Sequence, residues 1–535
     1  MRIKRIANWK TLLITALATV LIACGGGSNP TTPAGYTGTD CFGSNANASN
    51  TQEDSGVALF FASFFPSVSA PGAGNPVGSI WTTVVSNLAG GYPATPLILS
   101  GAGGYSLKTC SNKYNDVTTS VMTLPRNNYG TLNTGGSASY DDLVTKVATS
   151  TAPFVGLDGF YYTANALGLT STGQIKSSFT QGQFITALAA TCPDGGAGPT
   201  GTNIRSQSAC SNAAYMNNML WRYAGTGGLF TSNTGASFEG VVVSDVGSTT
   251  ALTWTRGYLL QKYASAPATT VYTMVIDAGS SGTRINFYKV VGGAGGYPQV
   301  TLLDNQKFND NGINDFLSNN GTIDPAAWTA KSSTGLPAGY SAPGCSMTAK
   351  TTNGGQSDVG PCVIQPLLDS MAGAMSTANV PASQVKVELF ATAGMRTMSQ
   401  FNGGSFTDTQ IASFYQTMKS YTQTTKGFSV GDSLTSNGNS QEGVWTWINL
   451  NDQYYNAFGG NTTYYSGAPT TRGDFEVGGS SMQIAFPTTI AVGDANNVYQ
   501  VSINNHTYNV FSKTYLGLGG DDARKFVRSY GYSPK

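Results

Sequence analysis

Tyr272-Thr-Met-Val-Ile276, Asp277-Ala-Gly-Ser-Ser-Gly-Thr-Arg284 and Ile285-Asn-Phe-Tyr-Lys-Val290 run consecutively near the middle of the 535-residue chain. The first block is a short apolar run of buried-strand character and the last is a second strand, so the polar octet between them reads as a hairpin tip. Successive backbone N–H groups at such a tip form a concavity that holds anions such as phosphate oxygens. Gly279 and Gly282 let the backbone approach a ligand; Ser280, Ser281, Thr283 and Arg284 add donors, and Asp277 is placed to face a cation. Taken alone, the same octet also describes an ordinary hairpin with a polar turn.

A second segment, Phe475-Glu-Val-Gly-Gly-Ser-Ser-Met-Gln-Ile-Ala-Phe486, repeats the order of acid, apolar residue, glycine, hydroxyls and returning strand. Gly478, Gly479 and Ser480 are its phosphate-facing candidates. Two such hairpins resemble the phosphate clamp of the actin-like ATPase fold, so the expected class is α/β, with two RNase H-like lobes gripping one ligand. Between them lie Phe390-Ala-Thr-Ala-Gly-Met-Arg396, with Gly394 as a further phosphate contact, and Gln441-Glu-Gly-Val-Trp-Thr-Trp-Ile-Asn449. In this order the four segments resemble four characteristic regions of the apyrases, the ecto-nucleoside triphosphate diphosphohydrolase family.

The family's fifth region, which carries the nucleobase site, should follow the fourth, yet only Tyr515-Leu-Gly-Leu-Gly519 and a short tail do. Its features resemble residues upstream of the first loop instead: Leu99-Ser-Gly-Ala-Gly-Gly-Tyr, Phe160-Tyr-Tyr162, Cys192, Cys210, Tyr215, and Trp254 in Leu252-Thr-Trp-Thr-Arg-Gly-Tyr-Leu259. The expectation is a circular permutation, with residues 41–260 matching the family's C-terminal part and 271–535 its N-terminal part, joined by a connector within Lys262–Val271. Termini that lie close together at a surface tolerate such rearrangement. The expected division is a signal peptide (1–23), a lipidated cysteine and tether (24–40), second-lobe material (41–244), a first lobe (245–438), and second-lobe material again (439–535).

The resemblance implies metal-dependent removal of terminal phosphates from nucleoside tri- and diphosphates. Glu442 matches the general base, Ser481 and Gln483 the residues orienting the attacking water, and Thr392 a contributor to the metal–water shell. Asp277 and Glu476 match the acids holding a divalent ion, Mg or Ca, mostly through water, and Trp254 matches the aromatic closing that shell. Tyr162 and Arg205 match base-contacting residues. Two departures stand out. Glu476 occupies a position that is usually Asp, and Ala209 one that is usually aromatic, leaving one side of the base clamp open. Seen singly, Glu442 reads as a helix-start carboxylate, Trp445 and Trp447 as a core pair, and Tyr161–Tyr162 as an alternating strand. The competing functions are a surface lipoprotein that binds nucleotide with little turnover, and a related polyphosphate or phosphoanhydride hydrolase.

Composition narrows the chemistry independently. Only 10% of residues are charged, with 28 Lys+Arg against 27 Asp+Glu, and four of the basic residues (Arg2, Lys4, Arg5, Lys10) fall in the first ten positions. No basic stripe suggests a nucleic-acid partner. His506 is the only histidine, so a multi-histidine metal site cannot be assembled and a Ser-His-Asp triad is very hard to build, and chemistry must rest on carboxylates, hydroxyls and amides. His506 itself lies in a turn-like stretch, Asn504-Asn-His-Thr507.

The basic start and the apolar run Thr11–Ile22 read as a secretion signal. Leu21-Ile-Ala-Cys24 resembles a bacterial lipobox, which implies a lipid anchor at Cys24 and export to the outer membrane, on its periplasmic face or at the cell surface. Six cysteines remain, an even number that suits disulfides in an oxidising compartment. Fifteen pairings are possible in principle; the simplest joins sequence neighbours, Cys41–Cys110, Cys192–Cys210 and Cys345–Cys362.

Overall fold

The computed structural model describes 107, 110–111, 114, 140–171, 173–193, 209–222, 228–230, 236–243, 252–279, 282–308, 359–393, 408–435, 441–460, 462, 464–465, 467–493, 497–516, 518–520 and 523. Its labelled elements are α1 (Tyr140–Val147), β1 (Pro153–Asp158), α2 (Gly159–Ala166), β2 (Lys176–Ser177), α3 (Gln181–Thr191), α4 (Ala209–Leu220), β3 (Ser237–Val242), α5 (Trp254–Tyr263), β4 (Thr270–Ala278), β5 (Thr283–Val291), β6 (Gln299–Phe308), β7 (Val385–Ala391), α6 (Asp408–Ser420), β8 (Ser429–Thr435), α7 (Gln441–Gln453), β9 (Gly473–Val477), β10 (Ser481–Pro487), β11 (Val498–Ile503) and β12 (His506–Leu516).

These strands form two mixed sheets in an α/β molecule. The first runs β6-β5-β4-β7-β8 and the second β11-β12-β10-β9-β1-β3-β2. The two share a pattern. In the first, β4 pairs antiparallel with β5 and parallel with β7, β5 pairs antiparallel with β6, and β7 runs parallel to β8. In the second, β9 pairs antiparallel with β10 and parallel with β1, β10 pairs antiparallel with β12, and β1 runs parallel to β3. Strands β4 and β9 thus hold equivalent central places. The first sheet is built from one continuous stretch of sequence, whereas the second draws β1, β2 and β3 from upstream of it and β9 to β12 from downstream.

Sequence explains the local choices. Val275, Ile276 and their neighbours make β4 apolar on both faces, as a strand covered from both sides requires. The β11–β12 hairpin turns on Asn504 and Asn505 at φ +52° and +62°, the left-handed pair of a type I′ turn, so His506 opens β12 directly after the turn. Helix α3 starts on a Thr180–Gln183 capping box. One core packs around Phe154, Phe184, Tyr215, Phe475 and Phe486 on one face of the second sheet, and another around Ile276, Phe287, Leu367 and Phe414 on one face of the first.

Between the sheets lies a third core that holds the molecule together. Trp254, Tyr258, Phe390, Trp445 and Trp447 meet there with residues of both sheets. Helices α5 and α7 cross so closely that a Cβ on Gly257 would sit 1.8 Å from the Trp445 carbonyl oxygen. Only glycine permits that approach. Beside the crossing, the buried Arg256 guanidinium donates to Asp452 at 2.7 Å and Asn449 at 3.1 Å, and Tyr297 donates to the same Asp452 oxygen at 2.9 Å. Breaking such a buried pair costs far more than its formation gains, because one charge is left stranded.

Candidate functional site

The β4–β5 hairpin ends on the pairs Asp277↔Arg284 and Ala278↔Thr283. Asp277 and Thr283 are buried, and a Cβ on Gly279 would come within 2.9 Å of the Gly282 carbonyl oxygen, so the turn closes tightly on itself. Strand β7, parallel to β4, delivers Thr392 to the same place: its amide donates to the Ala278 carbonyl at 3.1 Å. Ser280, Ser281 and Gly394 lie outside the described residues.

The β9–β10 hairpin sets Glu476 directly opposite Gln483 and Val477 opposite Met482. The Gly478 amide donates to the Ser481 carbonyl at 3.0 Å, closing a turn over Gly479 and Ser480. Gly520 donates to the Gly478 carbonyl at 2.8 Å, and a Cβ on Gly519 would meet the Gly479 backbone at 2.3 Å. Gly519 and Gly520 therefore underlie the loop. The Gln483 side-chain amide donates to Ser481 Oγ at 2.9 Å, tying together two residues expected to act on the same water.

Helix α7 begins at Gln441, which puts Glu442 in its first turn, where a carboxylate suits the helix dipole; its side chain is buried. One turn on, Thr446 donates to Glu476 at 3.1 Å. Both plain readings hold here, since Glu442 does start a helix and Trp445 and Trp447 are core residues. Trp254 packs edge-on against Phe390 at 5.4 Å and against Trp445 at 5.6 Å; Phe390 is the strand partner of Asp277. The Trp254 indole N–H, buried, has no hydrogen-bond partner.

Electrostatics ties the two hairpins into one site. Burial pushes the Glu476 carboxyl well above the usual carboxylate range, and Glu442, Asp158 and Asp277 push it further, against the Thr446 hydrogen bond. Several carboxylates that mutually disfavour ionisation form a donor set for a hard divalent cation. No three Asp, Glu, His or Cys side chains among the described residues are grouped closely enough to hold a metal ion. The orphaned Trp254 N–H and Gln483 Oε1 suit ordered water between protein and ion, so the residues fit a cation held mainly through water.

Two acids escaped the sequence reading. Asp158 ends β1 beside Val477, the residue before the second loop. Asp474, fully buried two residues before Glu476, has neither carboxyl oxygen hydrogen-bonded. A signal for Asp158 was available, since Leu157-Asp158-Gly159 repeats the sequence of strand, acid and nearby glycine seen at Asp277 and Glu476.

Tyr162 lies on helix α2, not on an alternating strand, because Phe160, Thr163 and Ala164 supply a helical buried face. It lines a cavity with Ala209, Asn212, Gly478, Gly479 and Asp158. Tyr215, on the same helix as Ala209, lines that cavity too. Arg205 lies outside the described residues. Cys192 and Cys210 form a disulfide that ties the end of α3 to the start of α4. Cys110 is disulfide-bonded to a partner outside the described residues; Cys24, Cys41, Cys345 and the Cys362 side chain also lie outside them. A larger hollow, of about 760 Å³, lies against the first sheet beside Tyr272, Lys289 and Asp369 and contains none of the candidate site residues.

Residues 263–530 match the GDA1/CD39 (nucleoside phosphatase) family. The chain belongs to that family. Among GDA1/CD39 relatives, ectonucleoside triphosphate diphosphohydrolase 2 of Gallus gallus is 26% identical over 268 residues, 50% of this chain and 45% of that protein. The Homo sapiens protein of the same name is 26% identical over 278 residues, covering 50% and 46%. The chain thus spans about half the length of the curated relatives it matches. A solved structure of nucleoside triphosphate hydrolases from Neospora caninum is 18% identical, covers 48% of this chain and 47% of its own, and superposes with a TM-score of 0.27. The GDA1/CD39 match includes both hairpins, Thr392 and Glu442, and excludes β1, β2, β3 and Trp254.

Proposed function

We propose that the protein is a divalent-metal-dependent hydrolase that removes terminal phosphates from nucleoside tri- and diphosphates. The observation that carries this reading is the placement of Asp277 and Glu476 at the same position, next to a tight Gly/Ser hairpin, on the equivalent strands β4 and β9 of two sheets, with Glu442 within electrostatic reach of Glu476.

Phosphoryl transfer asks for positioning and charge stabilisation more than for covalent chemistry. In this reading Glu442 takes the proton of the attacking water, while Ser481 and Gln483, already hydrogen-bonded to each other, orient it. The amides of the two hairpin tips, with Ser280, Ser281, Thr283 and Arg284 on one side and Ser480 on the other, receive the phosphate oxygens. Asp277 and Glu476 are the residues that would hold Mg or Ca through water, with Thr392 and Trp254 beside them. When bound, the cation neutralises charge developing on the phosphoryl oxygens. Tyr162 and Arg205 face the base. The extra methylene of Glu476 shifts its carboxylate by about a bond length relative to Asp, altering metal preference.

The wider architecture belongs to the same proposal. Two sheets with one strand pattern are what an actin-like pair of RNase H-like lobes requires, and the origin of β1 and β3 upstream of the family match supports a circular permutation. Export and lipid anchoring at Cys24 remain part of this proposal, on the signal and lipobox residues alone. A second reading, a polyphosphate or other phosphoanhydride hydrolase, is favoured by one observation, the small Ala209 in the wall shared with Tyr162.

The test is phosphate release from ATP, ADP and polyphosphate with Mg, Ca or chelator, beside Glu442→Gln. Metal-dependent release from both nucleotides, lost by orders of magnitude in Glu442→Gln while nucleotide still binds, is the expected result. Nucleotide binding without turnover in the parent protein makes it a binding lipoprotein, and turnover of polyphosphate alone selects the second reading.

A further inference from the structure

Asp158 is the last residue of β1 and its strand partner is Val477, so its backbone abuts the residue from which the Gly478–Gly479 turn springs. Its φ is +48° with ψ −107°, a conformation that favours glycine and costs an aspartate energy. Although Asp158 stands at the N-cap of α2, its side chain makes no capping hydrogen bond, so the helix start does not explain the carboxylate. It lines the cavity that Gly478, Gly479 and Tyr162 also line. An acid thus lines the same cavity as the Gly478–Gly479 turn that the site reading assigns to phosphate.

A second observation concerns the neighbouring strand pair. Gln483 is 2% exposed, stands directly across from Glu476, and keeps its Oε1 without a hydrogen-bond partner among the described residues. A buried acceptor left empty is costly unless water, a donor or a cation meets it.

From these positions we infer that Asp158 is a specificity-determining residue, which admits phosphate chains accompanied by a divalent cation and rejects free ones. The inference rests on the nucleotide-site reading above. A bare polyphosphate brought to Gly478–Gly479 meets the Asp158 carboxylate as a like charge. With a divalent cation between them the same carboxylate becomes an attractive partner through the ion's water shell.

The experiment compares the full chain with Asp158→Asn and Asp158→Gly, the latter suited to the positive φ and therefore able to fold if the amide variant does not. Asp304→Asn, on β6 of the other sheet, is the control. Two bindings are measured: Mn²⁺ alone, by its paramagnetic resonance signal, and fluorescently labelled ADP in chelator or in excess Mg²⁺. Removing the charge is expected to weaken Mn²⁺ binding and tighten ADP binding in chelator, each on the order of tenfold, the size of one partly screened charge interaction. Excess Mg²⁺ should abolish or reverse the ADP difference, and Asp304→Asn should match the parent. If the parent binds Mn²⁺ and ADP but both Asp158 variants bind them as it does, the inference is overturned while the site reading stands. If the parent binds neither, the site reading falls and takes this inference with it.

Discussion

Asp474 is a fully buried acid with neither carboxyl oxygen hydrogen-bonded. Its strand partners are Val155 and Ala485, neither able to hydrogen-bond through a side chain, and burial followed by the neighbouring Glu476 holds its carboxyl well above the usual range. A buried carboxyl without partners is a liability that an apolar or neutral substitute relieves. Asp474→Ala should therefore raise the midpoint of denaturant unfolding, by about 1–3 kcal/mol of stability; a lower midpoint would mean that the carboxyl has a structural role. Among the described residues, Thr446 supplies the hydrogen bond to the Glu476 side chain. Thr446→Val should weaken divalent-cation binding while changing melting by less than Asp474→Ala does, which paired calorimetric titrations and melts would reveal. The acids flanking glycines were legible in the sequence because local chemistry marks them. Asp474 was not, because its burial depends on β1 and α7, which only the folded molecule brings against it.

At the scale of elements, the α5–α7 crossing and the second hairpin both depend on a missing side chain. Gly257→Ala drives a methyl into the Trp445 carbonyl and must push the helices apart, with an expected loss of about 2–4 kcal/mol read in denaturant unfolding. Gly519→Ala meets the Gly479 backbone instead, so its effect should fall on nucleotide binding more than on melting. Equal effects on both would place Gly519 in the core's support and not the loop's. The hairpins themselves followed from strand patterning and glycine placement, whereas the sequence could not show that α7 would present both Glu442 to the cleft and Trp447 to the core. That division of one helix between two tasks is set by packing from two sheets.

The whole molecule is bound by the pairing of β1 with β9, residues brought together from far apart in the chain. Residues 263–530 expressed alone keep the complete first sheet but expose the β9 edge, including Phe475, and exposed edges template aggregation. That fragment should be insoluble, and co-expression with residues 1–262 should recover soluble, co-purifying protein; a soluble monomeric fragment would show that β1–β3 are dispensable. Sequence order suggested this reunion, through the resemblance of residues 41–260 to a C-terminal half. Which strand they would join was not readable, because register is fixed by long-range pairing.

The divided origin of the second sheet also sets a timetable. As the chain is synthesised, β1 and β3 appear first and must remain without β9 until all of the first sheet's sequence has followed. The first sheet, whose strands are continuous in sequence, can close as soon as β8 emerges, while its companion waits for the last strands of the polypeptide. Maturation therefore ends at the β9 seam, where Asp158 and Glu476 meet, and a newly made chain acquires its acidic cleft only in its final folding step.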